Sequence, residues 1–161
     1  MHDPGLVSVV LIGTNNLGRG HSIDETVTGI LKVVRMMLEQ THGRVLLNAL
    51  LPRGDAQKRP RGTSVVTERP NGRTTRSFIP VLQNANRLIN ESLWTERGLG
   101  SMHPGRVRFV DCSAPYVANL SDLGAEVRLD LMTDQLHPNA AGHALWAQCL
   151  TKVLQRMQIQ G

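Results

Sequence analysis

The chain has 161 residues, 40% of them apolar and 19% charged, which is enough to bury a core and excludes a chain disordered by composition. No apolar run approaches the length of a membrane span, and the opening Met-His-Asp-Pro-Gly lacks the basic and apolar stretches of a secretory leader; this favours the cytoplasm but leaves the compartment open. The net charge of +5 invites a nucleic-acid reading, but aromatic residues are only 3%, against a base-stacking module, and the whole excess lies in one segment, where Arg53, Lys58, Arg59, Arg61, Arg69, Arg73 and Arg76 oppose only Asp55 and Glu68.

Val7 to Ile12 is a β-branched apolar run ending at Gly13 and reads as a buried strand. After a loop to His21, Ser22-Ile23-Asp24-Glu25 has the form of a capping box, with acids in the first helical turn. Val27, Ile30, Leu31, Val34, Met37 and Leu38 then recur at helical spacing, with Gly43 as the expected stop. Arg44 to Leu51 is a second strand, stopped by Pro52. Arg53 to Ser77 holds Gly54, Gly62, Gly72, Pro60 and Pro70 without a periodic apolar face, and is expected to be a basic loop insertion over about 53–77. Phe78 to Ser92 restarts helical spacing, with Pro80 near the first turn and Val81, Leu82, Ala85, Leu88 and Ile89 on one face. Arg106 to Asp111 is a third strand, and Asn139 to Gln158 a closing helix with Leu145, Trp146, Cys149, Leu150, Val153, Leu154 and Met157 as its stripe. The order β-α-β-α-β-α implies parallel strands with helical crossovers, in one domain over residues 1–161.

In open parallel sheets, ligands bind beyond the carboxyl ends of the strands. Gly13-Thr14-Asn15-Asn16 follows the first strand, and Asp134-Gln135-Leu136-His137-Pro138-Asn139 precedes the last helix. An imidazole can take a hydroxyl proton near neutral pH, and a carboxylate on its other nitrogen fixes its tautomer; Asp134 and His137 have the spacing for that, and equally for an ordinary helix-capping loop. An Asn amide on a Gly-containing turn can face a developing oxyanion, and Gly and Asn are also plain turn formers.

Taken together on this frame, the two blocks resemble the SGNH (GDSL) hydrolase family, whose third block is Gly-x-Asn-Asp or Gly-x-Asn-Asn and whose fifth is Asp-x-x-His. Val9 to Asn16 and Ala49-Leu50-Leu51-Pro52-Arg53-Gly54 look like the branch that includes the platelet-activating-factor acetylhydrolase catalytic subunits. The resemblance implies a flavodoxin-like three-layer α/β/α fold, present as its C-terminal two-thirds and lacking its first strands. It implies a lipase-like esterase that cleaves short acyl esters of a lipid or glycan through an acyl-serine, with no metal and no other cofactor. By the resemblance His137 would be the general base, Asp134 its orienting carboxylate and Asn15 an oxyanion-hole donor; Gly13 and Asn16 of the same turn, with His21 close to it in sequence, are candidate lining residues, Asn16 being also a structural position of the turn. His2, His42, His103 and His143, with Cys112 and Cys149, show no metal spacing and read as scattered surface or core residues.

The nucleophile is missing. The family's Gly-Asp-Ser precedes the Gly-x-Asn block, yet only 12 residues precede Gly13, and none of the eight serines follows Gly-Asp. The one such pair, Gly54-Asp55, is followed by Ala56. A gene model that starts late, a split protein completed by an N-terminal segment, and a non-catalytic relative all fit. The isolated chain is therefore expected to lack serine-esterase activity and to expose an apolar strand edge that favours a homo-oligomer or a complementing segment. The rival reading is a non-catalytic module that contacts an anionic surface or RNA through the Arg-rich loop, with binding that weakens steeply in salt and disappears when residues 55–76 are removed.

Overall fold

Residues 5–54, 65–68, 74–120 and 124–159 are described by a computed structural model. Its centre is a three-stranded parallel sheet of β1 (Val7–Val10), β2 (Arg44–Asn48) and β5 (Val107–Val110), in the order β1-β2-β5. In chain order the other elements are α1 (Thr14–Gly18), α2 (Ile23–Gln40), β3 (Val65–Glu68), β4 (Thr74–Ser77), α3 (Ile79–Leu93), α4 (Leu99–Met102), β6 (Val117–Leu120), β7 (Gly124–Val127) and α5 (Ala140–Ile159).

Alternation along the strands sorts the core into two layers. Val10, Val45, Leu47 and Val107 face α2 and α3, where Val27, Ile30, Val34 and Leu38 meet Leu82, Ala85, Ile89 and Leu93. Leu46 and Val110 face α5, which supplies Trp146, Cys149, Leu150, Val153, Leu154 and Met157. The result is an α/β/α arrangement with a parallel sheet: the element order implies the parallel strands, and the family resemblance implies the layers. Among the described residues β1 is hydrogen-bonded to β2 alone, and its Val9 is 45% exposed, so the apolar edge foreseen from the sequence is present. None of the described helices is long and apolar enough to cross a membrane.

The capping box forms as the sequence indicates: the Ser22 hydroxyl accepts from Glu25 N at 3.1 Å, and Ser22 N donates to the Glu25 carboxylate at 2.9 Å. Gly43 does not close α2. The helix ends at Gln40 with Thr41 in an extended conformation, and Arg106 ties down its end, its guanidinium donating to Leu38 O in the last turn and to Thr41 O and Gly43 O just beyond.

Three expectations need correction. The 53–77 segment is not loop throughout, because β3 and β4 pair antiparallel within it, with Val65 opposite Ser77. Its β-branched Val65-Val66-Thr67 and Thr74-Thr75 are strand formers, and Asn71-Gly72 between them is a hairpin signal in the sequence; residues 55–64 and 69–73 lie outside the described residues. Arg53 does not belong to a solvated basic segment, since its side chain is fully buried. Cys112 and Cys149 are not scattered: they form a disulfide that ties the end of β5 to the middle of α5. A further antiparallel pair, β6 with β7, lies where the sequence reading assigned no element.

Candidate active site

The carboxyl ends of β1 and β2 and the N-terminus of α5 converge on an open cleft of about 500 Å³. Its polar side is the Gly13–Asn16 turn with His137 and His143, and its apolar side includes Leu11, Ile12, Leu51, Pro138 and Trp146. The topology makes this convergence, because parallel strands all deliver their chain to the same end of the sheet.

The first half of the site is made by Gly13. The strand must turn directly into α1, and Gly13 does so at φ 111°, a conformation that side chains with a Cβ rarely adopt. It also lets the turn approach α2 closely, since a Cβ there would fall 2.7 Å from Ile30 Cδ1. Gly13 O then accepts from Asn16 N at 3.0 Å and Leu17 N at 3.2 Å, and Asn15 and Asn16 are left exposed on the first turn of α1.

The second half is the loop before α5. Asp134 Oδ1 accepts from Leu136 N at 2.9 Å and from His137 N at 2.7 Å, while Oδ2 takes the His137 Nδ1 at 2.7 Å. The backbone N–H of His137, its imidazole and the Leu136 N–H together hold the Asp134 carboxyl far below the usual carboxylate range. An ionised carboxylate is only an acceptor, so Nδ1 carries the proton and the Nε2 of a neutral ring is left with a lone pair. Asn139 fastens the same loop to the helix: its Oδ1 accepts from Gly142 N at 3.0 Å, its Nδ2 donates to Asp130 O at 2.8 Å, and its N donates to Leu131 O at 2.8 Å. The capping role and the dyad geometry, alternatives at the level of spacing, are both present.

The structure thus brings Gly13, Asn15, Asn16 and His137 to one cleft, with Asp134 behind the imidazole. His21 does not join them as a lining residue; its backbone N donates to Asn16 O at 3.2 Å. His143 is exposed rather than packed, with its ring centroid 5.9 Å from that of Trp146 at the cleft wall. Trp146 was foreseen only as part of the apolar stripe of α5. With its amide oriented to satisfy both neighbours, buried Asn48 accepts from Trp146 Nε1 at 2.7 Å and so anchors that wall to β2. Among the described residues, no group of three or more His, Cys, Asp or Glu side chains is placed to hold a metal ion.

No protein-family model and no curated protein matches the sequence. Solved structures do. A protein from Bacteroides fragilis, provisionally described as an acylhydrolase, superposes with a TM-score of 0.66 at 14% identity, covering 94% of this chain and 62% of its own. It shares their fold: this holds equally for a Streptococcus pneumoniae protein provisionally described as a platelet activating factor, with a TM-score of 0.62 at 18% identity over 92% of this chain and 59% of that one. The chain therefore spans about 60% of the length of the two structures it matches.

Proposed function

We propose that this chain carries the base and oxyanion portion of an SGNH-type serine ester hydrolase. The observation that carries the reading is the pairing across one cleft of the Asp134–His137 dyad with the Asn15 turn. In this reading His137 Nε2 takes the proton of a serine hydroxyl as it attacks the ester carbonyl, and returns it to the leaving alcohol. Asp134 keeps the ring in the tautomer that exposes Nε2 and stabilises the imidazolium. Asn15 donates to the oxyanion, a contribution of roughly 3 kcal/mol for one such donor. The apolar wall of Leu11, Ile12, Leu51 and Trp146 suits a short acyl group. The fold shared with a protein described as an acylhydrolase supports the reaction class.

No serine of this chain follows Gly-Asp, so the nucleophile in this reading comes from polypeptide beyond these 161 residues. That segment would also pair with the open side of β1 and form one domain with the rest. The coding sequence upstream of Met1 tests this directly. We expect a Gly-Asp-Ser there, covalent labelling of that serine by a fluorophosphonate in the extended chain, and loss of ester turnover by a factor of at least about 1,000 in His137→Ala. A stop codon upstream together with an unlabelled chain, or turnover in the extended chain that survives His137→Ala, would overturn the proposal.

A further inference from the structure

Arg53 has the bulkiest of the fully buried side chains among the described residues, and it lies outside the lining of the cleft. A buried guanidinium costs desolvation energy and is retained where specific partners recover it. Its Nη1 donates to Thr14 O at 3.1 Å, the carbonyl next to Asn15. Its Cζ stacks 5.1 Å from the centre of the Phe78 ring. The last residue of α1 packs directly upon it: a Cβ on Gly18 would fall 2.3 Å from Nη1. Arg53 thus grips the one-turn helix that presents Asn15 from behind, at both its first and last residues.

The next residue reaches the other half of the site. Gly54 N donates to Gln135 O at 2.8 Å, and Gln135 is the non-glycine residue with φ 63° between Asp134 and Leu136. Two consecutive residues at the end of the β2 segment therefore touch both halves, one through a side chain and one through the backbone.

We propose that Arg53 is the positioning residue of this site, clamping α1 to the β2 segment while Gly54 holds the Asp134–His137 loop, so that the Asn15 turn and the imidazole keep a fixed separation. The catalytic meaning of that separation rests on the esterase reading above, because a preorganised donor matters only where charge develops. The clamp itself does not rest on it and can be read without turnover. A planar guanidinium suits the place, since one group must stack on Phe78 and donate to a carbonyl in the same plane.

Native-state amide exchange on the labelled chain is the test. In Arg53→Met, which keeps an apolar stem and removes the donor, we expect the amides of Leu17, Arg19 and Gly20, bonded to Gly13 O, Asn15 O and Leu17 O, to exchange about tenfold faster. Those of Leu82 and His143 should change less than about twofold. Arg53→Lys should recover part of the protection. Gly18→Ala, which sets a methyl group against the guanidinium while keeping Arg53, should reproduce the local pattern, and it decides the matter if Arg53→Met does not fold. Acceleration spread evenly over all amides, or unchanged α1 amides in Gly18→Ala, would overturn the proposal whether or not the esterase reading stands.

Discussion

Asp134 is exposed, and its three accepted hydrogen bonds rather than burial set its ionisation. Because its folded-state pKa is lowered, its contribution to the loop is complete above the unfolded carboxyl value of about 3.9 and is lost as pH falls through the folded value. Carbon NMR of labelled aspartates should therefore find Asp134 still ionised near pH 4, where an unperturbed carboxyl is half protonated. Asp134→Asn leaves one oxygen for the two backbone N–H groups and turns an NH2 toward the imidazole. His137 Nδ1 must then accept, and nitrogen NMR should show the proton moved to Nε2, the tautomer that cannot act as the base. The residue types and their spacing were legible in Asp134-x-x-His137 and Gly13-x-Asn15 because both are local loops. Arg53 was not: an arginine followed by three other basic residues before Glu68 reads as surface, and only the fold shows it buried against Phe78.

The helices were the most readable elements. Apolar residues every three or four positions must share a face, and Val27, Ile30, Val34 and Leu38 do. Their ends were less readable, because a side chain distant in sequence can replace a local stop. Arg106, 65 residues beyond Thr41, donates to Leu38 O in the last turn of α2 and to Thr41 O just past it, in place of a glycine cap. Asn86 does similar work for the β2 segment: its Oδ1 accepts from Leu50 N at 2.7 Å and its Nδ2 donates to Leu50 O at 3.0 Å, both buried. Removing that amide strands a buried donor and acceptor, so Asn86→Ala should cost about 2–4 kcal/mol. Calorimetry would register this as a fall in Tm of roughly 5–12 °C for a domain of this size. Asn86→Asp, which keeps an acceptor for Leu50 N but offers Leu50 O no amide donor, should not restore stability.

At the scale of the whole molecule, the Cys112–Cys149 bond joins two layers of the fold, α5 to the sheet, just beyond the helix start that carries His143 and Trp146. Closing a loop with a sequence separation of 37 restricts the unfolded chain by roughly 3–4 kcal/mol. Cys149→Ser, or reduction, should lower Tm by about 10 °C, and non-reducing mass spectrometry of the untreated protein should find no free thiol. Disulfides persist in oxidising compartments, so this bond bears on the compartment that the sequence leaves open.

The sequence by itself determined the α/β order, the capping box of α2, and the two blocks that resemble a hydrolase site, since each is written in spacing along a short stretch of chain. The tertiary structure alone decided that Arg53 is buried, that two cysteines are bonded, and that Trp146 and His143 wall the cleft holding His137. The physical reason is range. Helical periodicity and turn chemistry act over a few residues, whereas burial of a charge or pairing of thiols depends on which distant segments the sheet brings together.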